Sequence, residues 1–349
     1  MDFQPNELFG LNKHFIMDSI LSGDIGGTKT LLRLSAADQF RAPILQQSFS
    51  SNQYSGLAEI IEEFLQPANV VKIASACFAL AGPVLGRQVT LTNLPWSVDA
   101  DSLAAKFKIP RVSLINDFEA VGLAISALQQ DDMLTLQAGQ AQDCGTRLAV
   151  GAGTGLGVAW ITWQNGAYQV HPSEGGHMDF APSSAIEYEL LCYLQKRHGH
   201  VSTERIVSGP GLVNIFEFLR DSKRAPVPSA LLAAMRGADP GAALTQFAQQ
   251  NIGSIAHMAL DLFLSIYGAF VGNLALATLP RGGIYVAGGI AAKIAPQMQH
   301  GIFLKSLINK GRYTTLLESL PIYIVTNPQV GLLGADLLAC QQTSAAHHS

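Results

Sequence analysis

Residues 19–34, SILSGDIGGTKTLLRL, decide how the fold is read. Ile20 to Gly23 reads as a short strand, Asp24 to Thr28 as a glycine-rich turn, and Leu31 to Leu34 as a returning strand. Glycines at a strand-to-strand turn let backbone N–H groups approach an anion closely. Thr28 adds a hydroxyl donor, and Asp24 could hold a magnesium ion beside phosphates, directly or through water. The stretch is not a Walker A loop, because a strand follows it and not a helix. A hairpin that binds nothing is the plain alternative.

Outward from this hairpin, a third strand is expected near Ile44 to Phe49. A helix follows through Leu57, Ile60, Ile61 and Phe64, with Ser55 as its cap. The apolar run Val70 to Leu80 reads as a buried strand of a sheet covered on both faces. Leu103 to Phe107 reads as a helix, Val112 to Ile115 as a strand ending at Asn116-Asp117, and Phe118 to Leu128 as a helix. The pattern then starts again. Leu148 to Val150 is a strand, GAGTGLG (151–157) a glycine turn, and Val158 to Trp163 and Tyr168 to Val170 are strands joined at Asn165-Gly166. Helices are expected around 184–198, 211–220 and 251–277. Strands follow at Ile284 to Ala287 and Ile322 to Val325, and a last helix near 330–340. Two halves that each open with a glycine hairpin and then alternate helices and strands indicate an α/β architecture with two related lobes. The divisions expected are an N-terminal arm at 1–17, a small lobe at 18–140 and a large lobe at 141–349, with the last helix returning to the first lobe. Met17 is an alternative start.

Composition narrows the function classes. The 349 residues are 48% hydrophobic and 14% charged, the reverse of a disordered chain. Lys and Arg number 22 against 26 Asp and Glu, so no positive surplus is available for a nucleic-acid backbone. The four cysteines, Cys77, Cys144, Cys192 and Cys340, lie far apart, which fits a reducing cytosol and neither a zinc site nor a redox pair. The N-terminus lacks a basic stretch followed by an apolar one, so it does not read as a secretory signal. The stretch Met258 to Leu279 is apolar enough for a membrane span but carries Asp261, Asn273, Gly268 and Gly272, and is read as a buried helix.

Five further motifs could carry chemistry. The glycines of 151–157 do not fit the dinucleotide fingerprint, and a strand follows, so a second phosphate-facing hairpin or a tight β-turn is expected. Asp117, just past a buried strand, could take a proton from a substrate hydroxyl while Asn116 bonds another; alternatively the pair only caps the next helix. Glu174 and His177, separated by two glycines, could bind a polyol or a metal, or be structural. Glu204 precedes an apolar pair and a Ser-Gly-Pro-Gly turn, and alone would read as a surface carboxylate. Gly288 and Gly289 end a strand and could border a nucleotide or simply turn the chain.

The ordered set is more specific than its parts. GDIGGT, INDF, GAGTGLG, EGGHMDF, ERIVSGPGL and VAGGI occur in one sequence, and from Ser22 to Leu338 the chain resembles the bacterial glucokinases of the hexokinase–actin superfamily. The resemblance implies two ribonuclease-H-like lobes around a cleft holding ATP and glucose, and phosphorylation of the sugar's 6-hydroxyl. Gly23, Asp24, Ile25, Gly26, Gly27 and Thr28 would match the first phosphate loop, and Gly153, Thr154 and Gly155 the second. Asp117 would match the catalytic base, and Asn116, Glu174, His177 and Glu204 the sugar-binding residues. ATP with Mg²⁺, a homodimer and a cytoplasmic location go with this expectation. Two departures stand out. Lys29 occupies a position where many relatives carry Asn, beside the phosphate turn. No cysteine cluster follows His177, as it does in the broader group of sugar kinases and repressors. Rival readings are a kinase for another hexose or an N-acetylated amino sugar, a sugar-sensing regulator without turnover, and an actin-like ATPase.

Overall fold

A computed structural model describes residues 18–68, 72–82, 84–91 and 94–344; the N-terminal arm and Met17 lie outside them, as do Val70 and Val71. The chain forms two compact units, Asn116–Ala335 and the remainder, which takes in Asp336 onward.

In the first unit, the strands are β1 (Ser19–Ile25), β2 (Lys29–Ala36), β3 (Pro43–Ser50), β4 (Ile73–Leu80), β5 (Val84–Leu85), β6 (Gln88–Thr90), β7 (Ser97–Asp99) and β8 (Val112–Asn116), whose last residue already counts with the other unit. Among the described residues the main sheet runs β3-β2-β1-β4-β8, and β5, β6 and β7 form a small antiparallel sheet that the sequence reading did not anticipate. β1 pairs antiparallel with β2 and parallel with β4. β4 is the expected continuous apolar run, with Ala76 to Leu80 at 0% exposure, as a strand covered on both faces requires. The helix Leu57–Leu65 buries Leu57, Ile60, Ile61 and Phe64. Its cap is Gly56, and the backbone N–H and hydroxyl of Ser55 instead donate to Glu59.

On the other face of β1 and β2, a polar cluster anchors the final helix, Val330–Ser344. Asp336, at 0% exposure, accepts from the Ser22 hydroxyl and from Arg33 Nη1, the latter at 2.5 Å. Arg33 Nε donates to Gln46 at 2.8 Å. Burial pushes the Asp336 carboxyl up to about 6, although Arg33 and Ser22 pull the other way.

The second unit carries β9 (Met133–Gln137), β10 (Arg147–Ala152), β11 (Leu156–Gln164), β12 (Ala167–Ser173), β13 (Gly283–Ala287) and β14 (Ile322–Val325). Their order is β12-β11-β10-β13-β14-β9. β10 to β12 form an antiparallel meander, and β10, β13 and β14 run parallel. β9 pairs with β14, so the second sheet draws in residues on the N-terminal side of 141.

The helix Ile255–Thr278 is long and apolar enough to cross a membrane, but 72% of its most apolar window is buried within the protein. Its glycines explain why. A Cβ on Gly268 would lie 2.1 Å from the Phe303 carbonyl oxygen, and one on Gly272 would lie 2.3 Å from that of Leu307. The helix therefore packs backbone-close against Ile302–Ile308. Side chains of Ser184, Ser208, Asp239 and Ser254 accept from the first turns of the helices that follow them. The helices Ser229–Ala234 and Pro240–Gln250 were not expected.

Candidate active site

The first glycine turn is shorter than its motif. Gly23, Asp24 and Ile25 pair with both β2 and β4, so the turn itself is Gly26, Gly27 and Thr28. Gly23 is a packing glycine: a Cβ there would come within 2.8 Å of side chains of Leu32 and Phe78. Asp24 is half-buried near the end of β1 and shares a strand face with Ser22. The Gly26 N–H donates to the Lys29 carbonyl at 3.0 Å.

The second turn is also three residues long, closed by the Gly153 N–H donating to the Gly155 carbonyl at 2.8 Å. β10 and β11 extend to Ala152 and Leu156, leaving only Gly153, Thr154 and Gly155 between them. Gly153 faces open space, with nothing within 4 Å of a built Cβ. Gly151 and Gly157 lie directly opposite each other across the two strands. The Phe118 ring packs on this pair, with its atoms 2.6 Å and 1.9 Å from where a Cβ would sit. Neither Phe118 nor the facing pair stands out in the sequence as a site residue. Their signal was the symmetric placement of two glycines about the turn.

Asp117 opens the helix Asp117–Ala124, and Asn116 is its cap. The Phe118 N–H donates to both Asn116 Oδ1 and Asp117 Oδ1, each at 2.8 Å. Capping and acid–base readings of this pair are therefore compatible. The side-chain oxygen of Asn116 ties down the helix start and thereby fixes where the neighbouring carboxylate sits. Burial raises the Asp117 pKa above the ordinary value, and Glu174 raises it further, against the lowering effect of the Phe118 N–H.

Glu174, His177 and Glu204 converge although 30 residues separate the first from the last in sequence. The cause is backbone pairing: the Thr203 N–H donates to the Met178 carbonyl at 2.8 Å, and Asp179 bridges Ser202. His177 Nε2 then lies 3.9 Å from Glu174 Oε2 and 4.0 Å from Glu204 Oε1, beyond hydrogen-bond reach. Glu174 and His177 are largely exposed, while Glu204 is 29% exposed. The Glu204 carboxylate accepts the Leu156 N–H at 2.9 Å. A Cβ on Gly155 would lie 2.6 Å from the same carboxylate oxygen, so a glycine is required for that approach. Gly176 is constrained by backbone: a Cβ there would lie 2.0 Å from the Leu156 carbonyl oxygen. Asp117, Glu174, His177, Glu204 and the second glycine turn all belong to one unit.

Gly288 follows β13 with φ of +87°, and a Cβ there would lie 2.5 Å from the Ala152 carbonyl oxygen. Only glycine lets the chain pass so close to the end of β10 in this conformation. Gly289 faces open space.

A family model described as Glucokinase matches residues 21–342. The chain belongs to the glucokinase family. Among its relatives is the glucokinase of Trichormus variabilis, 45% identical over 342 residues, covering 93% of this chain and 100% of that one. The crystal structure of a glucokinase from an Antarctic psychrotroph has 28% identity and a TM-score of 0.79, covering 95% of this chain and 100% of that one. The glucokinase of Balamuthia mandrillaris, solved in complex with glucose, shares the fold at 23% identity and a TM-score of 0.77, over 93% of this chain and 94% of that one. The glucokinase-family fold, of the actin/hexokinase type, is thus the one that the resemblance of the ordered motifs implies.

Proposed function

We propose that this glucokinase-family enzyme transfers the γ-phosphoryl group of ATP to the 6-hydroxyl of glucose, with Asp117 as general base. The observation that carries the reading is the link made by Glu204. One carboxylate reaches toward His177 and is at the same time hydrogen-bonded to the first residue after the second glycine turn. Groups suited to a sugar and groups suited to a polyphosphate are thereby built into one piece of structure.

In this mechanism Asn116, Glu174, His177 and Glu204 pair with the sugar hydroxyls. Leaving such groups unpaired is costly, which is how a polar site rejects a sugar lacking one of them. The turn at 153–155 offers backbone N–H groups to the polyphosphate, and by the family resemblance the turn at 26–28 is also read as a phosphate loop. As the 6-hydroxyl oxygen attacks the γ-phosphorus, its proton passes to the Asp117 carboxylate, and the bond from that phosphorus to the oxygen retained by ADP breaks. Asp24 fits a magnesium ion in its chemistry, a half-buried hard-oxygen donor at the base of the first turn. Mg²⁺ held there would neutralise charge on the phosphates. Most of the rate enhancement then comes from positioning and charge stabilisation.

The test is glucose-dependent ADP formation, with and without Mg²⁺, across a panel of hexoses and N-acetylated amino sugars. Turnover fastest with glucose and dependent on the metal is expected; a preference for another sugar reassigns the substrate, and sugar binding without ADP release rejects the enzyme reading. A homodimer in the cytoplasm goes with this proposal, and sedimentation of the purified protein tests the dimer.

A further inference from the structure

Ser51 follows β3 and is remote in sequence from the first glycine turn, yet it touches that turn twice. Its backbone N–H donates to the Thr28 carbonyl at 3.0 Å, and its hydroxyl donates to the Gly26 carbonyl at 2.9 Å. Behind it, Thr30 Oγ1 lies 3.0 Å from Ser51 Oγ. Ser51 and Thr30 are both at 0% exposure. A hydroxyl has one proton to give. Since the Ser51 proton goes to Gly26, Thr30 is the donor in the second bond. The chain of bonds therefore runs one way, from Thr30 through Ser51 to the Gly26 carbonyl.

The consequence follows from the planarity of the peptide group. In a trans peptide the C=O of one residue and the N–H of the next point in opposite directions. Turning the Gly26 carbonyl inward onto a buried serine turns the Gly27 N–H outward, away from the sheet. With glycine on both sides of that bond, the plane is freer to turn than between other residues, because glycine populates both signs of φ about equally.

We propose that Ser51, backed by Thr30, is a positioning residue for nucleotide binding: it fixes the Gly26–Gly27 peptide plane so that the Gly27 N–H is presented to the polyphosphate. The proposal rests on the reading of the turn at 26–28 as a phosphate loop. Neither residue needs to touch the nucleotide.

The experiment uses the full chain. Ser51→Ala removes the hydroxyl and keeps the backbone bond to Thr28. The KM for ATP should rise roughly fivefold, the equivalent of one net hydrogen bond, while the glucose Kd measured by tryptophan fluorescence without nucleotide stays within twofold of wild type. A merely structural role would lower the melting temperature and the active fraction and leave the KM for ATP of the folded enzyme unchanged. Thr30→Val and Thr30→Ser form a second, independent pair: the serine variant should retain wild-type KM for ATP, and the valine variant should raise it. Equal KM values in that pair overturn the proposal even if Ser51→Ala fails to fold. Gly27→Val separates the positioning role of Ser51 from the phosphate-loop role of the turn. If it abolishes ATP use while Ser51→Ala and the Thr30 pair are normal, only the positioning role fails. If Gly27→Val binds ATP normally, the phosphate-loop reading fails with it.

Discussion

The ring of Phe118 rests on Gly157 so closely that a Cβ on that glycine would lie 1.9 Å from a ring carbon. Phe118 is the residue after Asp117, and its N–H holds the Asp117 carboxylate. Any side chain at 157 must therefore displace the ring and disturb the base. Gly157→Ala is expected to cost about 1–3 kcal/mol of stability, as for an overpacked core, and to lower kcat more than it raises the KM for glucose. Thermal unfolding together with steady-state kinetics checks both. An alanine variant with wild-type melting temperature and kcat would show that the ring is not fixed there.

Asp117→Asn keeps the shape and the helix-start hydrogen bonds but cannot take a proton. It should lower kcat at least ~100-fold, the low end for loss of a general base, while glucose binding, measured in the absence of turnover, is partly retained. Near-normal turnover would remove Asp117 from the mechanism.

The pH profile follows from the same residue. Burial raises the Asp117 pKa above the ordinary carboxylate range. The base works only when ionised, so kcat/KM should fall as pH is lowered through that raised value, and the acid limb should lie above the pH where a solvent-exposed Asp titrates. Mutating Glu174 to Gln removes a negative charge that pushes the pKa up, so the limb should move to lower pH. A limb that moves upward or stays fixed would contradict the electrostatic account.

Much of this site could be read from the residue order, because the glycines, Asp117 and the Glu–His pair are local motifs. What could not be read is long-range. The bonds from Ser51 to the first turn depend on β3 pairing with β2, and Phe118 meets Gly151 and Gly157 only once the helix after β8 is laid on the second sheet. Likewise β9 joins that sheet through β14, about 190 residues later in the chain, and no local pattern of Met133–Gln137 signals the partner. The motif limits shifted for a related reason. Asp24 and Ile25 look like turn residues in the sequence, but they are paired on both sides by strands.

The Arg33–Asp336 pair gives a stability prediction. Asp336 has a carboxyl pKa of about 6, above its unfolded value, so its own contribution to stability falls as pH rises from the ordinary carboxylate range to about 6 and is level beyond. Arg33 pulls that pKa down. Arg33→Met should therefore move it higher still. The variant should lose up to about 3–5 kcal/mol at pH 8, where an unpaired buried carboxylate must be ionised or protonated at a cost, and less at pH 5. Urea unfolding at the two pH values measures this; a loss of equal size at both would refute the charge argument.

That same pair spans 303 residues of sequence. During synthesis at about 5–20 residues per second, the strands bearing Ser22 and Arg33 wait on the order of 15–60 s after emerging before their partner helix exists at all. Through that interval two polar side chains destined for the interior have no carboxylate to meet, and the first unit cannot reach its final form until almost the whole polypeptide has been made. Loss of the last turns of the chain would be felt first at its beginning.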